Sequence, residues 1–252
     1  MTLYVDAAGI THRGTVRESN EDCIAIGFWH SQETMQAARG FEHDLAEPFV
    51  CAVADGMGGH NDGEQASLFV ARGLARRLSV LGPSHAAAAA RTVNAEFYAH
   101  VGAHPELAGM GSTVVGLSAH HGSLAIFNVG DSRAYKVVTA GLAQLSVDDV
   151  PNAGWKAGSG AARNTMLLQC FGGRKTFADI EPHVHLEPAL PGATYLLCCD
   201  GLYETLAEEE MAPLIGADLI ASAEALLGAA LAKGAKDNVS VALVRFTDRP
   251  AA

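Results

Sequence analysis

The sequence predicts an α+β protein whose β-sheets are antiparallel. Apolar runs of strand length and segments with helical periodicity come in separate blocks, whereas a parallel sheet requires the two to alternate. Short turns separate the strand-like runs in the middle of the chain, which favours hairpins. With 252 residues, 49% of them hydrophobic, the chain can bury one large core. We therefore expect a single domain over residues 1–252.

Each element is predicted from its own pattern. Val70, Leu74 and Leu78 recur at helical spacing along one face of the segment 62–81, as an amphipathic helix requires. Residues 151–163 are rich in glycine and alanine without periodicity, and we interpret them as a loop. The predicted strands are 3–10, 23–28, 49–54, 112–117, 123–129, 134–138, 195–199 and 239–246, and the predicted helices are 62–81, 84–101 and 218–233.

The composition limits the partners. Lys and Arg total 17 against 28 Asp and Glu, a net charge of −11. This argues against nucleic acid or an anionic membrane as a partner. It suits cation binding, although surplus acid also simply aids solubility. There is neither an apolar run of about 18 residues nor a signal-peptide pattern, and the five cysteines lack metal spacing. We expect reduced cysteines in the cytoplasm, no membrane insertion and no zinc.

Acidic residues recur at the ends of apolar strands. Burying a carboxylate there is costly unless it is paired or metal-bound, although a single Asp-Gly is more simply a turn. Nearby cations in the sequence are few: Arg17, Arg133 and Lys236. Oxygen ligands select Mg²⁺ or Mn²⁺, and two such ions can activate water. The acids in question are Glu21, Asp22, Asp55, Asp131, Asp200 and Asp237.

Six short motifs carry a family resemblance. In chain order they are Arg17-Glu-Ser-Asn-Glu-Asp22, Val53-Ala-Asp-Gly-Met-Gly-Gly-His60, Gly109-Met-Gly-Ser-Thr113, Asn128-Val-Gly-Asp-Ser-Arg133, Cys199-Asp-Gly-Leu202 and Asp237-Asn-Val-Ser240. Any one of them is weak, but together, in this order and across residues 12–246, they are specific. The sequence resembles the metal-dependent protein phosphatase family of the protein phosphatase 2C type, in its bacterial form.

The resemblance implies a fold and a ligand set. The fold would be an α/β/β/α sandwich, two packed antiparallel sheets flanked by helices on both faces, with a short flap-like loop around 150–175. Two tightly held Mn²⁺ or Mg²⁺ ions would be bridged by Asp55, and a third, weaker site is expected. The carbonyl of Gly56, a residue without a side chain, would join Asp55 on one ion. Asp200 and Asp237 would hold the second, with Glu21 or Asp22 direct or through water. Asp131, with Asp200, would hold the third.

The resemblance also implies an activity. The protein would be a phosphoserine/phosphothreonine protein phosphatase that acts on substrates of a Ser/Thr kinase, and we expect it to be a monomer. Arg17 would bind the substrate phosphate. Asn238 would contact the metal-binding residues without binding a metal ion itself. We expect metal-bound hydroxide to attack the phosphate monoester directly, without a phosphoenzyme. Arg17 and Asp55 are thus the predicted catalytic residues.

The sequence departs from the family pattern at two places, and two alternative functions remain open. Asp148-Asp149-Val150 stands where the family usually has Asp-His-Ser, and the flap is short. A pseudophosphatase that only docks partners, or a hydrolase of small phosphate esters, are the alternative functions. The proton donor to the leaving group is predicted to be either His60 or a metal-bound water, because Met57 occupies a position where many eukaryotic relatives carry histidine.

Overall fold

The computed structural model describes residues 2–58, 62–151, 155–157 and 165–249. The strands are β1 Thr2–His12, β2 Cys23–Ile26, β3 Trp29–Ser31, β4 Arg39–Asp44, β5 Phe49–Ala54, β6 Gly56–Met57, β7 Gly111–Ser112, β8 Val114–His120, β9 Ser123–Val129, β10 Arg133–Val138, β11 Gly141–Gln144, β12 Phe171–Gly172, β13 His183–Pro188, β14 Thr194–Cys198 and β15 Val239–Arg249. The helices are α1 Asp62–Leu81, α2 Ala86–Ala103, α3 Asp200–Tyr203, α4 Glu208–Met211 and α5 Leu219–Ala232.

Two six-stranded antiparallel sheets form the centre of the molecule. The first has the order β11-β10-β14-β15-β1-β4, and the second β13-β9-β8-β5-β2-β3. In the first sheet β1 and β15 pair along their whole length, from Thr2 opposite Arg249 to His12 opposite Val239. A small sheet of β12, β7 and β6 lies beside them.

Apolar side chains fill three layers. Val70 and Leu74 of α1 pack with Phe97 of α2 against the second sheet. Tyr195 and Phe246 belong to the layer between the two sheets. A third layer joins the other face of the first sheet to α5, whose first turn is capped by the Asp218 carboxylate through the Ile220 and Ala221 amides. The predicted α/β/β/α sandwich is therefore confirmed.

The accuracy of the predicted elements depends on burial. Strands β5 and β9 and helix α1 have the predicted bounds. The strands that were not predicted include β3, β4, β11 and β13, which are the four outer strands of the two large sheets. An outer strand has only one neighbour and needs little apolar sequence, as the half-exposed run Arg39–Asp44 illustrates.

The predicted hairpin between 123–129 and 134–138 is wrong. β9 pairs with β8 and β13, whereas β10 pairs with β11 and β14 in the other sheet. The chain crosses between the sheets at Gly130. Its φ of 98° is a conformation that glycine adopts readily and other residues rarely adopt. A Cβ there would also lie 2.5 Å from the Thr113 Cβ. Most of the predicted 151–163 loop lies outside the described residues.

Candidate metal and phosphate site

Strand register brings the predicted acids to one end of the sheets. The start of β2 lies opposite the end of β5, so Asp22 and Asp55 lie at the same end of these two strands. The start of β15 lies beside the end of β14 in the other sheet, which gathers Asp237 and Asp200. Asp131 follows β9 at the crossing between the sheets.

A cavity of about 410 Å³ opens where these ends meet. The predicted residues in its lining are Arg17, Glu21, Asp55, Gly56, Asp131, Asp200, Asp237 and Asn238. The lining also contains Met57, Gly58 and Thr113 from the quoted motifs, and three residues that the sequence did not single out: Thr165, Leu167 and Glu204. Of these, Glu204 could have been found from its spacing, because it follows Asp200 by four residues and so lies on the same face of one helical turn.

Asp55 has a buried carboxylate whose pKa is strongly affected by its surroundings. Burial first, and then the neighbouring charges of Asp22, Asp200, Asp131 and Asp237, raise its pKa well above the ordinary value. Its carbonyl oxygen accepts bonds from the Thr113 amide at 2.9 Å and the Ser112 hydroxyl at 3.0 Å. The Gly-Ser-Thr motif therefore fixes the backbone that carries this carboxylate.

Asp22 lies behind the cavity wall and is fully buried. Its Oδ2 accepts a bond from the Ser240 hydroxyl at 2.6 Å, whereas its Oδ1 is buried and has no hydrogen-bond partner among the described residues. Burial is the largest cause that raises the pKa of Asp22 to about 7. The sequence did not identify Ser240 as a partner, although the Asp-Asn-Val-Ser240 motif contains it. A buried carboxylate with a spare oxygen is suited to a cation.

Arg17 and Asp237 form an ion pair within the cavity lining. The Arg17 Nη2 donates to Asp237 Oδ2 at 2.7 Å, with both side chains partly exposed. The hydrogen bond to Asp237 is the largest cause that raises the Arg17 pKa. The residue predicted to bind phosphate thus contacts one oxygen of a residue predicted to bind metal.

Glu21 and Asn238 join the two ends of the chain at the site. Asn238 Oδ1 accepts a bond from the Glu21 amide at 2.8 Å, and its amide group donates to the carbonyl oxygens of Arg13 and Ser19. Desolvation is the largest cause that raises the Glu21 pKa. Asn238 therefore positions the loop that carries both Arg17 and Glu21.

Gly56 is required by close backbone packing. A Cβ at this position would lie 2.0 Å from the Gly63 carbonyl oxygen and 2.6 Å from that of Glu21. These contacts are to backbone, so no side chain can be accommodated without moving the start of α1. The steric reason for glycine is thus the approach of α1, in addition to the carbonyl access that the sequence suggested.

Asp148 and Asp149, the two departures from the family pattern, are both buried and paired. Asp148 receives the Arg133 guanidinium, with Nη2 to Oδ2 at 2.7 Å. Asp149 accepts the Gly130 amide at 2.7 Å and the His183 Nε2 at 2.8 Å. Both acids therefore support the crossing that leads to Asp131, and neither lines the cavity.

The described cysteines are unsuited to nucleophilic attack. All five are free, and four of them are buried. Burial raises the pKa of Cys23 to about 12 and of Cys170 to about 11. A thiol with such a pKa is almost fully protonated at neutral pH, and neither cysteine lines the cavity. His60, one of the two predicted proton donors, lies outside the described residues.

The donor atoms at this site are of the chemical type that binds a hard divalent cation. The donors are carboxylate and backbone oxygens, the set that Mg²⁺ and Mn²⁺ prefer, and the orphaned Asp22 Oδ1 provides an unused acceptor. Within residues 2–58, 62–151, 155–157 and 165–249, no three acids, histidines or cysteines already surround one point.

Known proteins share this architecture. The phosphatase PstP of Mycobacterium tuberculosis is 30% identical over 98% of this chain and 46% of its own length. The Listeria monocytogenes phosphatase stp is 29% identical over 93% of both chains. The crystal structure of M. tuberculosis PstP/Ppp matches with a TM-score of 0.78 at 28% identity, over 97% of this chain and all of that one. The PstP catalytic domain in complex with two manganese ions matches with a TM-score of 0.77 at 30% identity, over 98% and 100%.

The two-sheet sandwich is the architecture of the solved serine/threonine phosphatase domains that match this chain. The sequence profile of the protein phosphatase 2C family matches residues 30–233. The chain belongs to the protein phosphatase 2C family, and the family that the six motifs indicated is confirmed. It spans about half the length of the M. tuberculosis relatives that it matches. Among the described helices, none combines the length and apolarity needed to cross a membrane.

Proposed function

We propose that this protein is a metal-dependent protein-serine/threonine phosphatase whose active site is the acid-lined cavity. The observation that carries the proposal is the convergence of Asp55, Asp200 and Asp237 with Arg17 in one cavity, in a chain whose relatives are named serine/threonine phosphatases. The manganese ions of the PstP catalytic domain support the choice of Mn²⁺, with Mg²⁺ as the other candidate.

The ligands are proposed residue by residue. Asp55 would bridge two ions, with the Gly56 carbonyl on one and Asp200 and Asp237 on the other. Glu21 and Asp22 would contribute directly or through water, and Asn238 would hold their loop in place. Such ions, when bound, activate water and offset the charge of the phosphate.

The chain's own residues orient the substrate and limit the chemistry. The planar Arg17 guanidinium can contact two phosphate oxygens at once. The described lining offers no cysteine or histidine nucleophile, which supports direct transfer of the phosphoryl group to water. In that reaction a water oxygen bonds to phosphorus, and the serine or threonine oxygen leaves and gains a proton.

A third, weaker cation site is proposed at Asp131 with Asp200. Asp131 lines the cavity directly after the Gly130 crossing. Asp131→Ala should lower kcat by about tenfold or more while titration calorimetry with Mn²⁺ still finds two tight sites. Loss of a tight site would instead assign Asp131 to the main pair.

The remaining assignments follow the same proposal. The substrates would be proteins phosphorylated by a Ser/Thr kinase, and the protein would act as a monomer in the cytoplasm. The absence of disulfides among the five cysteines supports a reducing compartment.

Phosphate release from a phosphothreonine peptide with Mn²⁺ tests the function. Wild type should turn over only with Mn²⁺ or Mg²⁺, and a chelator should abolish activity. Asp55→Asn should lower kcat by about 10³-fold or more, whereas the exposed Asp248→Asn is the matched control and should leave it unchanged.

Turnover of a nucleotide alone would identify a small-ester hydrolase, and peptide binding without turnover would identify a docking module. Trapping of a phosphorylated side chain would refute direct transfer to water.

A further inference from the structure

A second cleft lies apart from the acidic cavity, between the β2–β3 turn and helices α1 and α2. Its volume is about 590 Å³, and it shares no described lining residue with the cavity. We call it the α1 cleft. Its apolar lining consists of Ala25, Phe28, Trp29, Leu68, Phe69 and Ala75. Clefts of this size and apolar character are suited to bind side chains of a ligand.

The rim of the α1 cleft exposes aromatic surface. Phe28 is 83% exposed and follows Gly27, whose φ of 58° forms the turn. The neighbouring Trp29 packs on Phe41 with ring centroids 5.0 Å apart. Exposed aromatic residues beside a pocket are typical of the anchor points of protein interfaces.

The charge of the α1 cleft opposes that of the whole molecule. Arg72 and Arg76 are exposed on successive turns of α1, and among the described residues neither has a carboxylate partner. The acid in the lining, Glu96, is already paired with Arg77. Beside Trp29, the Arg39 guanidinium lies 5.3 Å from the indole centroid. On a chain of net charge −11, this basic and aromatic surface complements an acidic partner.

Helix α1 connects the two sites. Its first turn touches the active-site loop, since the Gly63 backbone packs on Gly56, and Arg76 lies about four turns further, roughly 21 Å along the axis. An extended peptide covers that distance in about six residues, at roughly 3.3 Å per residue. A substrate could therefore occupy both sites at once.

We propose that the α1 cleft docks an acidic segment of the phosphoprotein substrate that carries an aromatic or aliphatic anchor residue. The segment would lie about six or more residues from the phosphorylated serine or threonine. Arg72 and Arg76 would pair with its carboxylates, and the anchor would pack against Phe28 and Trp29. A second copy of this chain is a poorer occupant, because a two-fold contact would bring the same arginines face to face. The proposal rests on the proposed phosphatase function.

Two synthetic peptides test the docking. The first carries phosphothreonine and, about eight residues away, the segment Glu-Phe-Glu-Leu-Asp; in the second, glutamines and serines replace this segment. For wild type with Mn²⁺, the KM of the first should be about tenfold lower, which corresponds to about 1.4 kcal/mol. Arg72→Glu/Arg76→Glu should remove that difference, and Phe28→Ala should reduce it at least about threefold. Neither variant should change kcat or the turnover of p-nitrophenyl phosphate.

A matched variant separates docking from general attraction. Arg91→Glu/Lys233→Glu changes the net charge equally at two other exposed positions, on α2 and after α5, and should keep the preference for the acidic peptide. Equal KM values for the two peptides with wild type would overturn the proposal, as would an equal loss of preference in the matched variant. A change of oligomeric state without a change in KM would overturn it in favour of self-association.

Binding without turnover distinguishes this proposal from the phosphatase assignment. Fluorescence anisotropy of a labelled, unphosphorylated acidic peptide should detect binding to wild type and about tenfold weaker binding to Arg72→Glu/Arg76→Glu. Binding of this peptide, without any hydrolysis of the phosphothreonine peptides, would refute the phosphatase function alone. Hydrolysis without binding would refute the docking alone.

Discussion

At the scale of single residues, the Arg17–Asp237 ion pair joins two proposed functions in one contact. The sequence indicated both residues by motif, but it could not indicate that they pair, because 220 positions separate them and only the β1–β15 register brings them together. The same limit applies to Ser240 and Asp22. Motifs therefore predict which residues lie at the site, whereas their mutual hydrogen bonds depend on the fold.

Arg17→Ala should separate the two functions. We expect KM for a phosphopeptide to rise about tenfold or more, because a charged hydrogen bond to phosphate is lost. The Mn²⁺ affinity should stay equal or rise by up to about fivefold, since an exposed ion pair of about 0.2–1 kcal/mol no longer holds Asp237. Calorimetry with Mn²⁺ and steady-state kinetics measure both quantities. Arg17→Lys is the control and should recover KM only in part; an unchanged KM in the alanine variant would contradict the phosphate role.

At the scale of elements, Asp149 connects segments that are distant in sequence. Its carboxylate accepts the Gly130 amide at the crossing between the sheets, the His183 Nε2 on β13 and the Gln169 Nε2 at 3.0 Å. Its carbonyl oxygen accepts the Leu168 amide at 2.7 Å. In this chain a carboxylate and a histidine on another strand thus stabilise the turn where the family pattern has histidine.

Asp149→Ala should loosen this connection. The buried Gly130 amide would lose its acceptor, so we expect a loss of about 1–3 kcal/mol in the free energy of unfolding, or roughly 2–10 °C in Tm. kcat should also fall, because Asp131 follows Gly130 directly. Thermal denaturation and peptide turnover measure the two effects. Asp179→Ala, an acid that bonds only to the neighbouring Ile180 amide among the described contacts, serves as the control, and equal Tm values for the two variants would argue against the connection.

The strands and helices also show which parts of the fold could be predicted from the sequence. Interior strands such as β5 and β9 are continuous apolar runs, and α1 has a clear apolar face, so their bounds could be read directly. The outer strands are short or polar, and the crossing at Gly130 resembles an ordinary hairpin turn in sequence. Neither the outer strands nor the crossing leaves a periodic signal, because what defines them is the neighbour with which they pair.

At the scale of the whole molecule, the gathered carboxylates link stability to pH. Asp22 has a pKa of about 7 in the folded protein against an ordinary 3.8, and the pKa of Asp55 is raised in the same direction. The folded state therefore binds these protons more tightly than the unfolded state. Their contribution to stability is complete below the ordinary pKa and is lost as the pH rises through about 7.

The metal-free protein should accordingly have a higher Tm at pH 6 than at pH 8. Saturating Mn²⁺ should oppose this trend, because the ion binds the deprotonated carboxylates and releases protons. Differential scanning calorimetry with and without a chelator measures the change. Asp22→Asn should flatten the metal-free dependence, and a variant with the same slope as wild type would contradict the assignment to Asp22.

The pairing of β1 with β15 has a consequence for synthesis on the ribosome. The first sheet needs β15 in its interior, between β14 and β1, so the sheet cannot close until residues 239–249 have left the exit tunnel. Asp237 meets Arg17, Glu21 and Asp22 only through that same closure. A nascent chain that lacks this strand therefore has an unfinished core and a site without Asp237 in place, and the proposed phosphatase activity should appear only after this strand has paired.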